Sequence, residues 1–144
     1  MKISKVRDVK TPSRGTDKSA GLDFFVPNDF ETTVVKPNSA IKIPSGIKAK
    51  IPDNYALIAF NKSGVALSGL AVGACVVDED YQGEINLHMF NVSDVEITVE
   101  PGKKLTQFIL LPVIYPGIEV VELENLYTET SVRGTGGFGS TGLQ

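Results

Sequence analysis

The residues best equipped for chemistry lie at the end of the chain. Arg133-Gly134-Thr135-Gly136-Gly137-Phe138-Gly139-Ser140-Thr141-Gly142 combines a guanidinium, hydroxyls at Ser140 and Thr141, and glycines whose backbone N–H groups are unhindered. Such a set makes a cradle for phosphate oxygens. Phe138 is a lone aromatic among the glycines and suits stacking on a nucleobase. Gly134, Gly136 and Gly139 spell G-x-G-x-x-G, but a dinucleotide fingerprint needs a strand before it and a helix after it. Only five residues follow Gly139, so that reading fails, and a kinase-type glycine loop fails with it. A P-loop fails because no Lys-Ser/Thr pair follows the glycines. The plainer alternative is a disordered tail, which composition alone favours.

Four further segments carry polar groups in suggestive order. Val77-Asp78-Glu79-Asp80-Tyr81-Gln82-Gly83-Glu84 holds three consecutive acids that could bind a metal or supply a general base. Taken alone, the acids are explained better by a solvated hairpin turn closed by Gly83. Tyr81, with apolar strands on both sides, reads instead as the floor of a pocket. Asn61-Lys62-Ser63-Gly64 offers a cation, a hydroxyl and a glycine for phosphate oxygens, or simply a polar loop. Gly102-Lys103-Lys104-Leu105-Thr106-Gln107 reads as a turn and a strand with its lysines in solvent, where Gln107 must find partners for its amide. Asp23, inside the apolar stretch Leu22–Phe25, is either on an exposed face or buried beside a cation. His88 is the single histidine, too little for a multi-histidine metal site, and reads as structural.

The elements that must position these groups are short strands. Ile47, Ala49 and Ile51 alternate with lysines; Ile85, Leu87 and Met89 alternate with Asn86 and His88; Val95, Ile97 and Val99 alternate with Glu96 and Thr98. A period of two sends one set inward. Ile3–Val6, Ala40–Ile43, Tyr55–Phe60, Phe108–Leu111 and Ile118–Leu123 are further candidate strands. Turn pairs such as Pro37-Asn38, Pro52-Asp53-Asn54 and Pro101-Gly102 separate them. The pattern predicts an all-β barrel or sandwich, with one short helix after Ser63 or Gly102. No internal repeat or linker interrupts it. From Arg133 onward the apolar content is too low to anchor a core, which predicts a mobile arm.

At 144 residues, 42% of them hydrophobic, the chain fits one soluble globular domain. A net charge of −3 gives no broad attraction to nucleic acid or an anionic membrane. The single cysteine, Cys75, excludes an internal disulfide and suits a reducing compartment; its apolar neighbours mark a buried structural thiol. No signal peptide or membrane span is legible.

The five segments, in this order and spacing, resemble the five motifs of the homotrimeric dUTPase family, from about Ala20 to Gly142. The acidic segment and the glycine-rich tail are together highly specific. Three positions depart: Lys62 and Lys104 stand where the family has arginine, and Thr106 stands for the usual alanine. The resemblance implies an all-β jelly-roll barrel over residues 1–131 and an arm, 132–144, that closes over a neighbouring subunit's site. It implies hydrolysis of dUTP to dUMP and pyrophosphate, limiting uracil in DNA and supplying dUMP for dTMP synthesis. Asp78 would activate the attacking water. Lys62, Ser63, Gly64, Gln107, Arg133, Ser140 and Thr141 would hold phosphates. Gly73, Ala74, Cys75, Tyr81 and Phe138 would hold base and deoxyribose, and Asp23 would support the second-motif cation. Mg²⁺ would be held by substrate phosphates and water, with no direct protein ligand. Partners would be dUTP and two further copies of the chain, with neither nucleic acid nor membrane, in the cytoplasm, the nucleus or a host cell's interior. A dCTP deaminase of the same fold, a binding module that has lost catalysis and a capsid-like jelly roll are the competing readings.

Overall fold

The computed structural model describes residues 1–137 and Ser140. Its strands are β1 (Lys2–Lys5), β2 (Leu22–Phe25), β3 (Thr33–Val35), β4 (Ala40–Pro44), β5 (Ile47–Lys50), β6 (Tyr55–Asn61), β7 (Leu70–Val72), β8 (Val76–Val77), β9 (Asn86–Asn91), β10 (Ile97–Val99) and β11 (Lys104–Pro112). A single turn and a half of helix, α1 (Ser63–Leu67), follows β6. All pairing is antiparallel. β1 joins β5, β3 joins β10, β4-β9-β7 form a three-stranded sheet, and β2-β11-β6-β8 form a four-stranded one. Among the described residues no helix is long and apolar enough to cross a membrane.

The core follows from the alternation. Ile47 and Ile51 are buried with half-buried Ala49 between them, while Lys48 and Lys50 face outward. Ile85, Leu87 and Met89 are sealed on one side of β9. Phe24 of β2 and Phe108 of β11 meet at ring centroids 4.4 Å apart, tilted by 48°. Each such fully buried side chain contributes on the order of 1.5–3 kcal/mol relative to exposure. The turns obey their residues. Pro37-Asn38 and Pro101-Gly102 occupy the central positions of turns closed by Ser39 N–H to Lys36 O and Lys103 N–H to Glu100 O. Asn38 (φ 56°) and Gly102 (φ 73°) supply the left-handed third residue that type II geometry requires.

Two expectations need correction. Ile118–Leu123 is not a strand: Ile118 and Val120 are more than nine-tenths exposed, and only a 3-10 turn forms, at Leu123–Asn125. Period-2 patterning cannot make a strand without an edge to pair with. Val95 lies outside β10 and is exposed, so that alternation holds only from Ile97. Of the two places left open for a short helix, Ser63 carries it as α1, and the turn at Gly102 feeds β11 directly.

The chain divides into two compact units, Met1–Ile114 and the segment from Tyr115 onward. All eleven strands belong to the first. In the second, Gly134 N–H bonds Ser131 O, Gly136 N–H bonds Arg133 O, and Ser140 N–H bonds Gly137 O, giving successive turns.

Candidate active site

Asp23 organises one group of polar residues. It sits in β2 between Leu22 and Phe24, opposite Gln107 of β11, and only 5% of it is exposed. The Nζ of Lys62, just past β6, donates to Oδ1, and the Nζ of Lys104, at the start of β11, donates to Oδ2 at 3.1 Å. Of the two alternatives the sequence left for Asp23, the buried, cation-paired one is realised. Burial pushes its pKa up, but the hydrogen bonds and charges of Lys62 and Lys104 outweigh that and hold the carboxyl below the ordinary aspartate range. One carboxylate against two ammonium groups leaves a net charge of about +1, a fit for a polyanion.

Both lysines are exposed, as the turn-and-strand reading had it; Lys103 pairs at 3.3 Å with Glu100, while Lys104, its side chain 53% exposed, reaches Asp23 with its Nζ. A bulge follows it. Register shifts between Lys104 and Thr106, so Leu105 and Thr106 are both buried in sequence, and strict alternation no longer decides where Lys104 faces. Gln107 satisfies its amide by donating from Nε2 to Asn61 O at 2.8 Å. Its side chain lies flat on Gly21, where any Cβ would collide with it. Arg14, outside every segment singled out from the sequence, braces the turn before β2 by donating to Ser19 O and, at 2.7 Å, to Ala20 O. Its contacts are to backbone carbonyls, which leave no mark in residue types. Ser63 and Gly64 open α1 and are exposed.

The second group gathers around β8, the edge strand of the four-stranded sheet. A cavity of about 170 Å³ is lined by Ala74, Cys75, Val76, Val77, Asp78, Tyr81, Ile85, Asn86 and Phe108. Sites that engulf a whole drug-sized ligand occupy roughly 300–1,000 Å³, so this one has room for only part of such a ligand. Asp78 is an exposed carboxylate at this cavity; Tyr81 is 42% exposed and donates its hydroxyl to Glu84 O at 3.0 Å. The tyrosine ring covers Gly83, where a Cβ would meet it. Glu79 turns away and accepts the Asn54 N–H. Glu84 bonds Gly46 N–H and Arg7 Nε at 2.7 and 3.0 Å.

Between β7 and β8, Gly73–Cys75 has most of its backbone engaged. Gly73 N–H bonds His88 O, Ala74 N–H bonds His88 Nδ1, Cys75 Sγ donates to Gly73 O, and Cys75 O accepts from Ala59 N–H, all within 2.7–2.9 Å. Cys75 is half-buried rather than sealed. The peptide joining Ala74 to Cys75 keeps its own C=O and N–H unpartnered among the described residues.

In the second unit, Arg133 is exposed and its Nε donates to Gly136 O at 2.9 Å. Ser140 is exposed as well. Phe138 and Thr141 lie outside the described residues.

The arrangement is thus a cation pair held by a carboxylate, and a small cavity with a tyrosine and a free acid at its mouth. The sequence pattern of the dUTPase family matches residues 7–142. The chain belongs to the dUTPase family. Deoxyuridine 5'-triphosphate nucleotidohydrolases from rice, Oryza sativa subsp. japonica, and from Legionella pneumophila strain Paris are 37% and 38% identical to it. These alignments cover 99% and 96% of this chain and 81% and 91% of the two relatives. The dUTPase of Staphylococcus bacteriophage 80alpha shares the fold, with a TM-score of 0.86 over 99% of this chain and 98% of its own at 22% identity. Like the family, this dUTPase is a hydrolase that converts dUTP to dUMP and pyrophosphate. That sets aside the deaminase, the catalytically dead module and the capsid-like protein.

Proposed function

We propose that Asp78 is the general base of this dUTP hydrolysis, and that the cation pair held by Asp23 receives the triphosphate. The observation that carries the assignment is that Asp78 is an unburied carboxylate at the rim of the cavity that Gly73–Cys75 and Tyr81 also line or border. Asp78 takes a proton from a water whose oxygen attacks the α-phosphorus. The bond from that phosphorus to its bridging oxygen breaks, and pyrophosphate leaves with the bond's electron pair. Lys62 and Lys104 offset charge on the phosphates, with Ser63, the Gly64 backbone and Gln107 beside them. Arg133, Ser140 and Thr141 would add donors from the arm, and Phe138 a stacking face. Catalysis of this kind is mainly positioning and charge stabilisation.

Uracil presents an N3–H donor flanked by carbonyl acceptors. With Gly73 and Ala74 N–H both taken, the Ala74–Cys75 peptide is the group left to read that edge, one side of it facing the base. A backbone reader built for uracil leaves groups unpaired against cytosine, a strong basis for rejection. Tyr81 would close on the deoxyribose and exclude a 2′-hydroxyl.

Mg²⁺ suits this donor set. Among the described residues no three His, Cys, Asp or Glu side chains cluster to cage a metal, and both oxygens of Asp23 are already on lysines. Asp78 and Asp80 remain exposed to receive hydrogen bonds from a hydrated ion. An ion that arrives on the triphosphate and keeps several waters fits; it would neutralise phosphate charge and orient the chain for in-line attack. A solved dUTPase from phage phi11 of S. aureus is described with a structural Mg(II) ion.

We also propose a homotrimer with shared sites. Residues of the first group do not line the cavity of the second, so one chain does not offer both ends of a nucleotide a common hollow. Ile114, Ile118, Val120 and Leu123 are each at least 80% exposed, a run of apolar surface that a neighbouring copy would bury. Pyrophosphate release measured over dUTP, dCTP, dTTP and UTP tests the substrate assignment: dUTP alone should turn over rapidly. With Asp78→Asn, kcat should fall about 10²–10⁴-fold while dUMP binding persists; a fast variant would remove Asp78 from the role of base.

A further inference from the structure

His88 touches the Gly73–Cys75 segment in three independent ways. Its backbone O accepts Gly73 N–H at 2.8 Å. Its Nδ1 accepts Ala74 N–H at 2.9 Å. Its ring, with the edge of Phe90 packed against it at a centroid distance of 4.8 Å, fills the space where a Cβ at Gly73 would stand. Because a backbone N–H only donates, Nδ1 must carry a lone pair and the ring proton of the neutral imidazole belongs on Nε2. Ala74 and Cys75 line the cavity, and within Gly73–Cys75 the peptide between them has its hydrogen-bonding groups unpartnered among the described residues.

We propose that His88 is a positioning residue for uracil recognition: its Nδ1 fixes the orientation of the Ala74 peptide and so aims the next peptide at the base. The inference rests on the reading that Gly73–Cys75 receives the uracil. A mid-strand side chain is well suited to this task. β9 is held on one side by β4 and on the other by β7, so the imidazole stands on a rigid element and transmits that rigidity to a segment with no ladder of its own. Within the β4 register the residue opposite His88 is Lys42; on the β7 side the segment Leu70–Val72 is uncharged.

Three full-length variants test this by steady-state kinetics on dUTP and by binding of dUMP. His88→Leu keeps bulk and removes the acceptor. His88→Asn returns an acceptor, Oδ1, at the place of Nδ1. Cys75→Phe fills the cavity without touching His88. The expected result is a KM about tenfold higher for His88→Leu with kcat within about twofold of the parent, the size of one lost hydrogen bond, and recovery in His88→Asn. If His88→Leu leaves KM and dUMP affinity unchanged while Cys75→Phe weakens both, the base site stands and the role of His88 is wrong. If both variants bind normally, the base site itself is misplaced and the inference falls with it. Should His88→Leu fail to fold, nitrogen NMR of the labelled imidazole in the unmodified protein decides instead: a proton on Nε2 with a bare Nδ1 is expected, and a proton on Nδ1 of the neutral ring would overturn the proposal.

Discussion

Asp23 shows how one buried carboxylate can hold two cations together. Its folded-state pKa is depressed, because two lysines outweigh the burial that raises it. A depressed carboxylate pKa stabilises the fold in full above the unfolded value, about 3.9, and that contribution is lost as pH falls through the lower folded value. Asp23→Asn leaves the two ammonium groups facing each other, one of them only 22% exposed in its side chain. It should lower Tm near neutral pH by about 5 °C or more and raise KM for dUTP. The Tm gap to the parent should narrow once pH drops below about 4; a gap that stays constant into acid would contradict the ion-pair account. The sequence showed Asp23 as an acid inside an apolar stretch but could not name its partners, which lie 39 and 81 positions away. Distance along the chain says nothing of distance across a sheet.

The strands show why some elements were legible and others were not. β9 and β5 are each buried on one face, and one-sided burial imprints a period of two on the sequence. β11 breaks that imprint at its bulge, where Leu105 and Thr106 are buried in succession, and the reach of exposed Lys104 to Asp23 had no signature. Ile118–Leu123 carried the right residue types and no edge to pair with. Close approach is equally invisible: nothing in the sequence says that Gly83 lies under the ring of Tyr81. Gly83→Ala should displace that ring and raise KM for dUTP several-fold with little change in fold, measured by kinetics alongside circular dichroism; unaltered KM would mean that Tyr81 does not meet the sugar. Phe108, buried against Phe24 and also lining the cavity, couples core to site. Phe108→Ala should cost about 3–5 kcal/mol of stability by denaturant unfolding, and a cost below about 1 kcal/mol would show that the site collapses around the loss.

At the level of the whole molecule, the proposed homotrimer completes each site with residues from more than one copy of the chain. Within one chain the residues of the cation pair do not line the cavity, and Arg133 and Ser140 belong to the second of the two units. Two inactive proteins test this most directly: one carrying Asp78→Asn with its tail intact, the other with Asp78 intact but ending after Ser131. Each alone should be nearly inert towards dUTP. Co-assembled, they should regain a substantial fraction of parental turnover, because sites then form with Asp78 from one chain and the tail from another. A mixture no more active than the sum of its parts, in assemblies verified to contain both chains, would contradict the shared site.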